Sequence, residues 1–573
     1  MKVVRTRPKT ARLLVVIVAA LALGVTNVTP AVRSAKAVDI GDYSGATNTD
    51  PVWRVKPTDH FSDGETPETF QGPVGRAACG PGSSPETSDV QGSVSVADRQ
   101  SGRSSQGYWC NMEKVGVYGP QSPQPFEGAE WQFARYKDAA GHQCGYYSQR
   151  MAGEVSWFPS TKSYVANGVT QARPGTIVVD ITNPANPTFV ENIATPGMYN
   201  PWETLKVHQG RGLLFAVEVM DGQAYGFMGI YDLKEDCRHP KKLFDGATTV
   251  YNHEGNISYD GMTYYTGHLQ AGVNWVNAID VSDPTKPRLL GAWNTKSALH
   301  GFSTTMDSKR LIIAHVNEDW IYTTYAGKGG YGGEGYKGDE GPWTRPPPTN
   351  GDTILGGDGM GIYDVSEIQE RKPNPKMRLI SALESPDGQI NQQSFNFIKD
   401  GIPYAMTTSE GGHGGTRIVD ISDERNPKVV TKIKTEIMML KNNDRAVSET
   451  WRPPYEYGGD FTFAYNFHYC NTDKRIDPVM MACSAFEQGL RVFDIRDLKH
   501  PKELGYFNPG GDGVRPPGSW CTCYSAYAMA MPQFDPEHKN IWFTDNNRGV
   551  FVIHPTNGTW ITDVAEEDLS HGN

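Results

Sequence analysis

The sequence predicts an all-β fold: a single seven-bladed β-propeller of four-stranded antiparallel blades, its ring closed by an N-terminal strand. Three observations carry this. A short apolar phrase ending in Asp occurs six times, the copies recur at about 50 residues or at that spacing enlarged by an insertion, and each is followed by turn residues and a Pro before the next apolar run.

The copies read Val178-Val179-Asp180-Ile181-Thr182-Asn183-Pro184, Ile230-Tyr231-Asp232-Leu233, Ala278-Ile279-Asp280-Val281-Ser282-Asp283-Pro284, Ile362-Tyr363-Asp364-Val365-Ser366, Ile418-Val419-Asp420-Ile421-Ser422-Asp423 and Val492-Phe493-Asp494-Ile495-Arg496-Asp497. Successive Asp residues are 52, 48, 84, 56 and 74 positions apart. Residues before each Asp are mostly β-branched or aromatic, which suits a strand buried on both faces. Asp, Ser and Asn side chains then cap a turn, and Pro187, Pro240, Pro287, Pro375, Pro427 and Pro501 fix the backbone where no ladder donor is needed. A further β run follows each turn, as in Leu289-Leu290-Gly291-Ala292-Trp293, and two precede each phrase, as in Gly255-Asn256-Ile257-Ser258 and Met262-Thr263-Tyr264-Tyr265. Four strands per 50 residues is a propeller blade.

A degenerate seventh copy, Gly549-Val550-Phe551-Val552-Ile553, aligns with Val552 at the Asp position. Little chain follows it, so an outer strand is missing. Lys114-Val115-Gly116-Val117-Tyr118 resembles the outer strands of other units and is expected to complete the last blade, since an open ring would leave a bare edge.

These six phrases resemble the LVIVD-repeat family of bacterial and archaeal surface or secreted propellers. The resemblance spans about residues 150–560 and implies the fold, with Tyr, Phe and Ala replacing some aliphatic residues of the family phrase. It implies no particular activity.

Residues 1–37 read as a secretory signal: Arg5, Arg7, Lys9 and Arg12 precede the apolar run 13–25, and Ala35-Lys36-Ala37 offers a cleavage site. That run is short for a membrane span, and no second one follows, so the mature chain is expected to be secreted, extracellular or at the cell surface, without a transmembrane segment. Seven of the 54 basic residues and none of the 65 acidic ones lie in the signal, leaving 47 against 65 and a formal charge of −18. Such a surface argues against nucleic acid as a partner. The rest divides into an irregular, Ser/Gly/Pro-rich wrap at 38–111, the propeller at 112–563 with an insertion at about 316–358, and an acidic tail at 564–573.

All eight cysteines follow the signal, as a disulfide framework in an exported protein requires. Cys470 and Cys483 flank one turn of the sixth unit and are expected to pair across its hairpin, while Cys79 and Cys110 are expected to staple the wrap. Cys521-Thr522-Cys523 places two thiols on one strand face, where they could bond to each other, pair elsewhere or bind a soft metal. The insertion carries Trp320, Tyr331, Tyr336 and Trp343 among many glycines, a candidate aromatic lip for a glycan or other flat ligand, or a flap over its own blade.

In a propeller the first strand of each blade lines the channel, so residues at one register form a ring. Counting back from the repeat Asp places Glu203, His253 with Glu254, Gln392, and His468 with Cys470 at 26 to 29 positions. Cys523 stands at a like distance before Val552, and His300 joins by its place before the next strand pair. His253, His300 and His468 are the candidate metal ligands, with copper or zinc the candidate cofactor and Glu203 and Glu254 the candidate proton carriers. Bonding of channel polar groups to one another and to water is the competing expectation. No phosphate loop, nucleophile elbow or HExxH motif occurs. The primary expectation is therefore a secreted binding or scaffold protein, holding an extracellular protein, glycan or small molecule; the alternative is a propeller oxidase or hydrolase using the channel His cluster.

Overall fold

The computed structural model describes residues 72–119, 129–149, 155–158, 163–166, 169–170, 175–218, 226–249, 252–267, 275–295, 297–316, 359–385, 388–412, 414–442, 445–446, 463–511, 524–546 and 548–569. The signal segment, Cys521, Cys523 and the aromatic residues Trp320, Tyr331, Tyr336 and Trp343 lie outside them.

Seven antiparallel blades of four strands form the ring, a seven-bladed β-propeller, and in blades one to six these four strands follow one another in chain order. Blade one comprises Ala129–Lys137, Gln143–Gln149, Thr176–Asp180 and Thr188–Ile193, with a small three-stranded sheet inserted between its second and third strands. Blades two to six start at Lys206–His208, Glu254–Ile257, Ala298–Thr304, Gly388–Lys399 and Tyr469–Thr472. Blade seven takes Gln533–Asp535, Asn540–Asp545 and Gly549–Pro555 from the C-terminus and Met112–Tyr118 from the N-terminus as its outer strand. Tyr118 pairs with Val550 and Met112 with Pro555, closing the ring as expected. Gly549 (φ 94°) sits at the start of this seam, where a Cβ would meet the Tyr118 carbonyl oxygen.

The repeated phrase is the third strand of each blade, and its two apolar residues face opposite ways. The residue just before Asp packs on the preceding blade: Tyr231 joins Val178 and Tyr146 of blade one, Ile279 joins Phe215 and Ile230 of blade two, and Phe493 joins Ile418 of blade five. The residue two before Asp packs on the following blade, as Val178, Ile230, Ile418 and Val492 do. Repeated around the ring, the alternation places the apolar core between blades.

The Asp carboxylate then holds the turn. Its Oδ1 accepts from the backbone N–H two residues on in all six copies, at 2.9 Å for Asp180, 3.0 Å for Asp232, 3.1 Å for Asp280, 2.9 Å for Asp364, 2.8 Å for Asp420 and 3.0 Å for Asp494. Asn183, Asp283, Asp423 and Asp497 repeat the bond at the next turn. Four of the six copies are thus a pair of consecutive Asx turns ahead of the outer strand, while after Asp364 a short helix, Ser366–Gln369, follows the first turn.

The seventh copy is in a different register from the one its sequence suggested. In the other blades the bulge against the outer strand falls between the residues two and one before Asp; here it falls between Val552 and Ile553, opposite Lys114 and Gly116. Val552 packs toward blade one and Ile553 toward blade six. His554, not Val552, therefore holds the Asp position. Its imidazole does not cap the turn: the N–H of Thr556, two residues on, bonds instead to the Asn111 carbonyl oxygen at 2.8 Å. The chain entering the closing strand supplies the acceptor that the missing Asp would have given.

The described part of the N-terminal segment, 72–111, leans on blade six. Tyr108–Cys110 pairs with Lys502–Asn508 as a fifth strand, and Val94, Tyr108 and Cys110 bury against Tyr506. Three disulfides are formed: Cys79–Cys110 within this segment, Cys144–Cys237 between blades one and two, and Cys470–Cys483 between directly opposed residues of one hairpin. Among the described residues no helix is long and apolar enough to cross a membrane.

Two stability measurements test this architecture. Asp420→Ala removes an Asx cap and is expected to lower the unfolding free energy by about 1 kcal/mol in urea denaturation, whereas Asp420→Asn, which keeps an acceptor, loses less than half of that. Ile230→Ala, at a fully buried seam between blades two and three, is expected to cost about 2–5 kcal/mol in the same assay.

Candidate metal centre

Side chains from five blades meet at the ring axis, and their common partner is the carboxylate of Glu203. His253 Nε2 lies 3.0 Å and His300 Nε2 3.8 Å from its Oε2. His468 Nε2 lies 3.2 Å from its Oε1, to which Gln392 Nε2 also donates at 2.6 Å. Glu203, Gln392, His300 and His468 are at most 2% exposed, while the His253 side chain keeps 14% of its surface.

Backbone irregularities aim these groups. In blade four the inner-strand register breaks between Leu299 and Phe302, and in blade five between Asn391 and Ser394. Those interruptions release His300-Gly301 and Gln392-Gln393 from the ladder and turn His300 and Gln392 toward the axis. Gly301 permits the approach: a Cβ there would stand 2.5 Å from the Gln392 carbonyl oxygen. Trp202 (φ 44°), just before Glu203, and the β-branched Ile390 (φ 50°), near Gln392, occupy the left-handed region. Glu203 itself makes an isolated parallel bridge to Glu254, which ties the entry of blade two to blade three.

The outer nitrogens of two imidazoles are engaged from behind. His300 Nδ1 is 2.6 Å from Glu254 Oε2, and His468 Nδ1 is 2.7 Å from the Met529 carbonyl oxygen. Both rings therefore turn Nε2 inward, the orientation that carboxylate and carbonyl partners impose on metal-binding histidines. Glu254 accordingly stands behind His300, on the side away from Glu203.

Charge at the centre is tightly coupled. Burial alone would raise the Glu203 carboxyl, but His300, His253 and His468 outweigh it and hold it well below the usual carboxylate range. Burial, then the Glu203 charge, pushes Glu254 up to about 8, and burial lowers His300 to about 4. Burial pulls His468 down, yet hydrogen bonds to Glu203 and Glu410 raise it to about 9. Lys206, also buried, is lowered by burial against the pull of Glu254 and Glu203.

The structure brings together Glu203, His253, Glu254, His300, Gln392 and His468 from the sequence-derived ring. Cys470 leaves the set, because its sulfur is bonded to Cys483 and is no longer a thiolate ligand. His315 is a satisfied core residue between the Ala298 carbonyl and the Tyr363 hydroxyl. Sequence reasoning missed Glu410, whose Oε1 is 2.7 Å from His468 Nε2. It lies on the second strand of blade five, so a count over first strands passes over it; the glycines that follow it, Gly411 and Gly412, were the local signal.

Two triads have ligand atoms close enough to hold an ion: Glu203, His253 and His300, and Glu203, Glu410 and His468. Donor atoms about 2.1 Å from a tetrahedral ion stand about 3.4 Å apart. The 3.0 and 3.8 Å separations in the first triad bracket that value. Asp138, His142 and Asp236 form a third group, but Asp138 is already taken by the N–H groups of Ala140, His142 and Cys237.

Comparison with known proteins follows the fold. The model of the LVIVD repeat matches residues 169–195 and 275–295, where the third strand and turn of blades one and three lie. No curated protein matches the chain. Among solved structures it is similar to a candidate 6-phosphogluconolactonase from Bacteroides fragilis, at 10% identity over 65% of this chain and 84% of that one, with a TM-score of 0.40. A second candidate of that kind from Bacteroides uniformis gives 10%, 65%, 85% and 0.41, and the hydrazine synthase of Kuenenia stuttgartiensis gives 13%, 66%, 97% and 0.34. Such values bear on neither substrate nor reaction. The chain is a seven-bladed β-propeller, and two of its blades, one and three, match the LVIVD repeat.

Proposed function

We propose that the protein is an exported metal-dependent propeller whose axis holds a transition-metal ion on His253, His300 and Glu203, and that it is a hydrolase acting on a small substrate. The observation that carries this is the convergence of inward-facing imidazole nitrogens from separate blades on one buried carboxylate. Two imidazoles and one carboxylate form the donor set of catalytic zinc sites, which leave a further position open. Zinc is favoured over copper because two imidazoles and a carboxylate are a recurrent catalytic zinc set, whereas blue-copper sites add a cysteine thiolate that the triad lacks. Bound there, the ion would supply Lewis acidity and a water acidified toward neutral pH. His253, the partly exposed member, marks the side from which a substrate enters. Export is supported by the signal-like residues 1–37 and by three disulfides.

A second reading is a secreted scaffold for an extracellular protein, glycan or small molecule, with an ion that only ties blades together. The near-complete burial of Glu203 and His300 favours it, as closed sites are commonly structural. The aromatic insertion on which such binding would rest lies outside the described residues.

Elemental analysis of protein from its native export route separates these readings from a metal-free channel. Bound zinc is expected, and His253→Ala and His300→Ala should each lower retention at least tenfold; retention unchanged in both would remove the metal reading. Free zinc at a hundredfold excess over its dissociation constant should stabilise the stripped protein by about 2.7 kcal/mol in thermal unfolding. Ester and lactone hydrolysis that appears only with zinc supports the enzyme; zinc-dependent stability without turnover supports the scaffold.

A further inference from the structure

Glu203 faces the two metal-capable triads with different oxygens. Oε2 faces His253 and His300, whereas Oε1 faces His468, which also meets Glu410. The triads share no other residue. We propose that the axis holds two divalent first-row cations, the second on His468 Nε2, Glu410 Oε1 and Glu203 Oε1, with the Glu203 carboxylate bridging the pair. This rests on the metal reading of the first triad and adds a site to it.

Three observations support the second site independently of the first. His468 Nε2 stands between two carboxylates, at 3.2 Å from Glu203, near the spacing of donors around one ion, and at 2.7 Å from Glu410, a hydrogen-bond distance that an ion would widen, while its Nδ1 is held by the Met529 carbonyl. Glu203 and Glu410 are both almost wholly buried, and two carboxylates facing one imidazole in a dry interior carry like-charge repulsion that a cation would relieve. Gln392 is fully buried; its Nε2 is taken by Glu203 and the Tyr469 hydroxyl, and its Oε1 meets no hydrogen-bond donor among the described residues. That oxygen is a neutral group at the edge of the proposed site, available to an ion or its water.

Mixed glutamate and histidine donors suit manganese, iron and zinc, and two-metal sites place their ions about 3.5–4 Å apart, a span a single carboxylate bridges. Occupancy by a pair would also set the inner ends of blades two, three, four, five and six against one another through ions instead of protons.

The test uses the full-length protein, stripped with chelator and titrated with manganese(II) alone, read by calorimetry and electron paramagnetic resonance. Two ions per chain with a spin-coupled signal are expected. Glu410→Gln, which keeps shape and hydrogen bonding, should reduce the stoichiometry to one and abolish the coupled signal; His468→Ala should do the same, and His253→Ala should remove the other ion. One ion in the parent protein, lost in His253→Ala and unaffected by Glu410→Gln, overturns the pair and leaves the single-ion reading standing. Two ions that both persist in Glu410→Gln also overturn it, and no ion at all overturns both readings.

Discussion

Every blade leans on two neighbours, and the dependence is written into two adjacent side chains. The first turns forward to the following blade and the next turns back to the preceding one, so no sheet completes its apolar packing alone. The Asp that follows fixes where this alternation stops, because its carboxylate must reach the N–H two residues on. A slip of one residue would send both apolar groups to the wrong seams and break the cap at the same time. The ring thus takes its register from the coincidence of a packing rule with a hydrogen-bonding rule.

The axis obeys opposite physics. Neighbouring blades exclude water from apolar seams, yet the innermost segments bring three carboxylates, three imidazoles and a lysine into a nearly dry centre. Such groups persist there only if protons or cations are shared among them, and removing one partner leaves another charge stranded. The register breaks in blades four and five, with the left-handed Trp202 and Ile390, place the irregular backbone beside this cluster. Backbone cost and charge cost fall in the same place, as expected where geometry serves a purpose beyond folding.

Much of the fold was legible because its signals are local and repeated. Asp180, Asp232, Asp280, Asp364, Asp420 and Asp494 each announce a turn through the same side-chain bond, and Cys470 faces Cys483 because a hairpin puts them opposite. His554 was not legible: its place depends on a bulge against Gly116, a partner from the far end of the chain, and a contiguous phrase cannot reveal that. At the centre, counting back from Asp found Glu203, His253, Gln392 and His468 since they share a strand position. Glu410 arrives from a second strand and reaches His468 only through tertiary packing, so no one-dimensional register contains it. Cys470 shows the converse, a residue at the right position whose chemistry is spent on a neighbour.

The seam of blade seven joins residues about 430 positions apart in sequence, Tyr118 and Val550. In kinetic terms the first-made strand must wait for nearly the whole chain before its partner exists. Loop-closure entropy makes such a pairing late and slow, and until it forms, Gly549–Pro555 presents an unprotected edge. The open ring is thus the species most exposed to mispairing with a second chain, and the fast, local Asx-capped units shorten its lifetime only up to that last step.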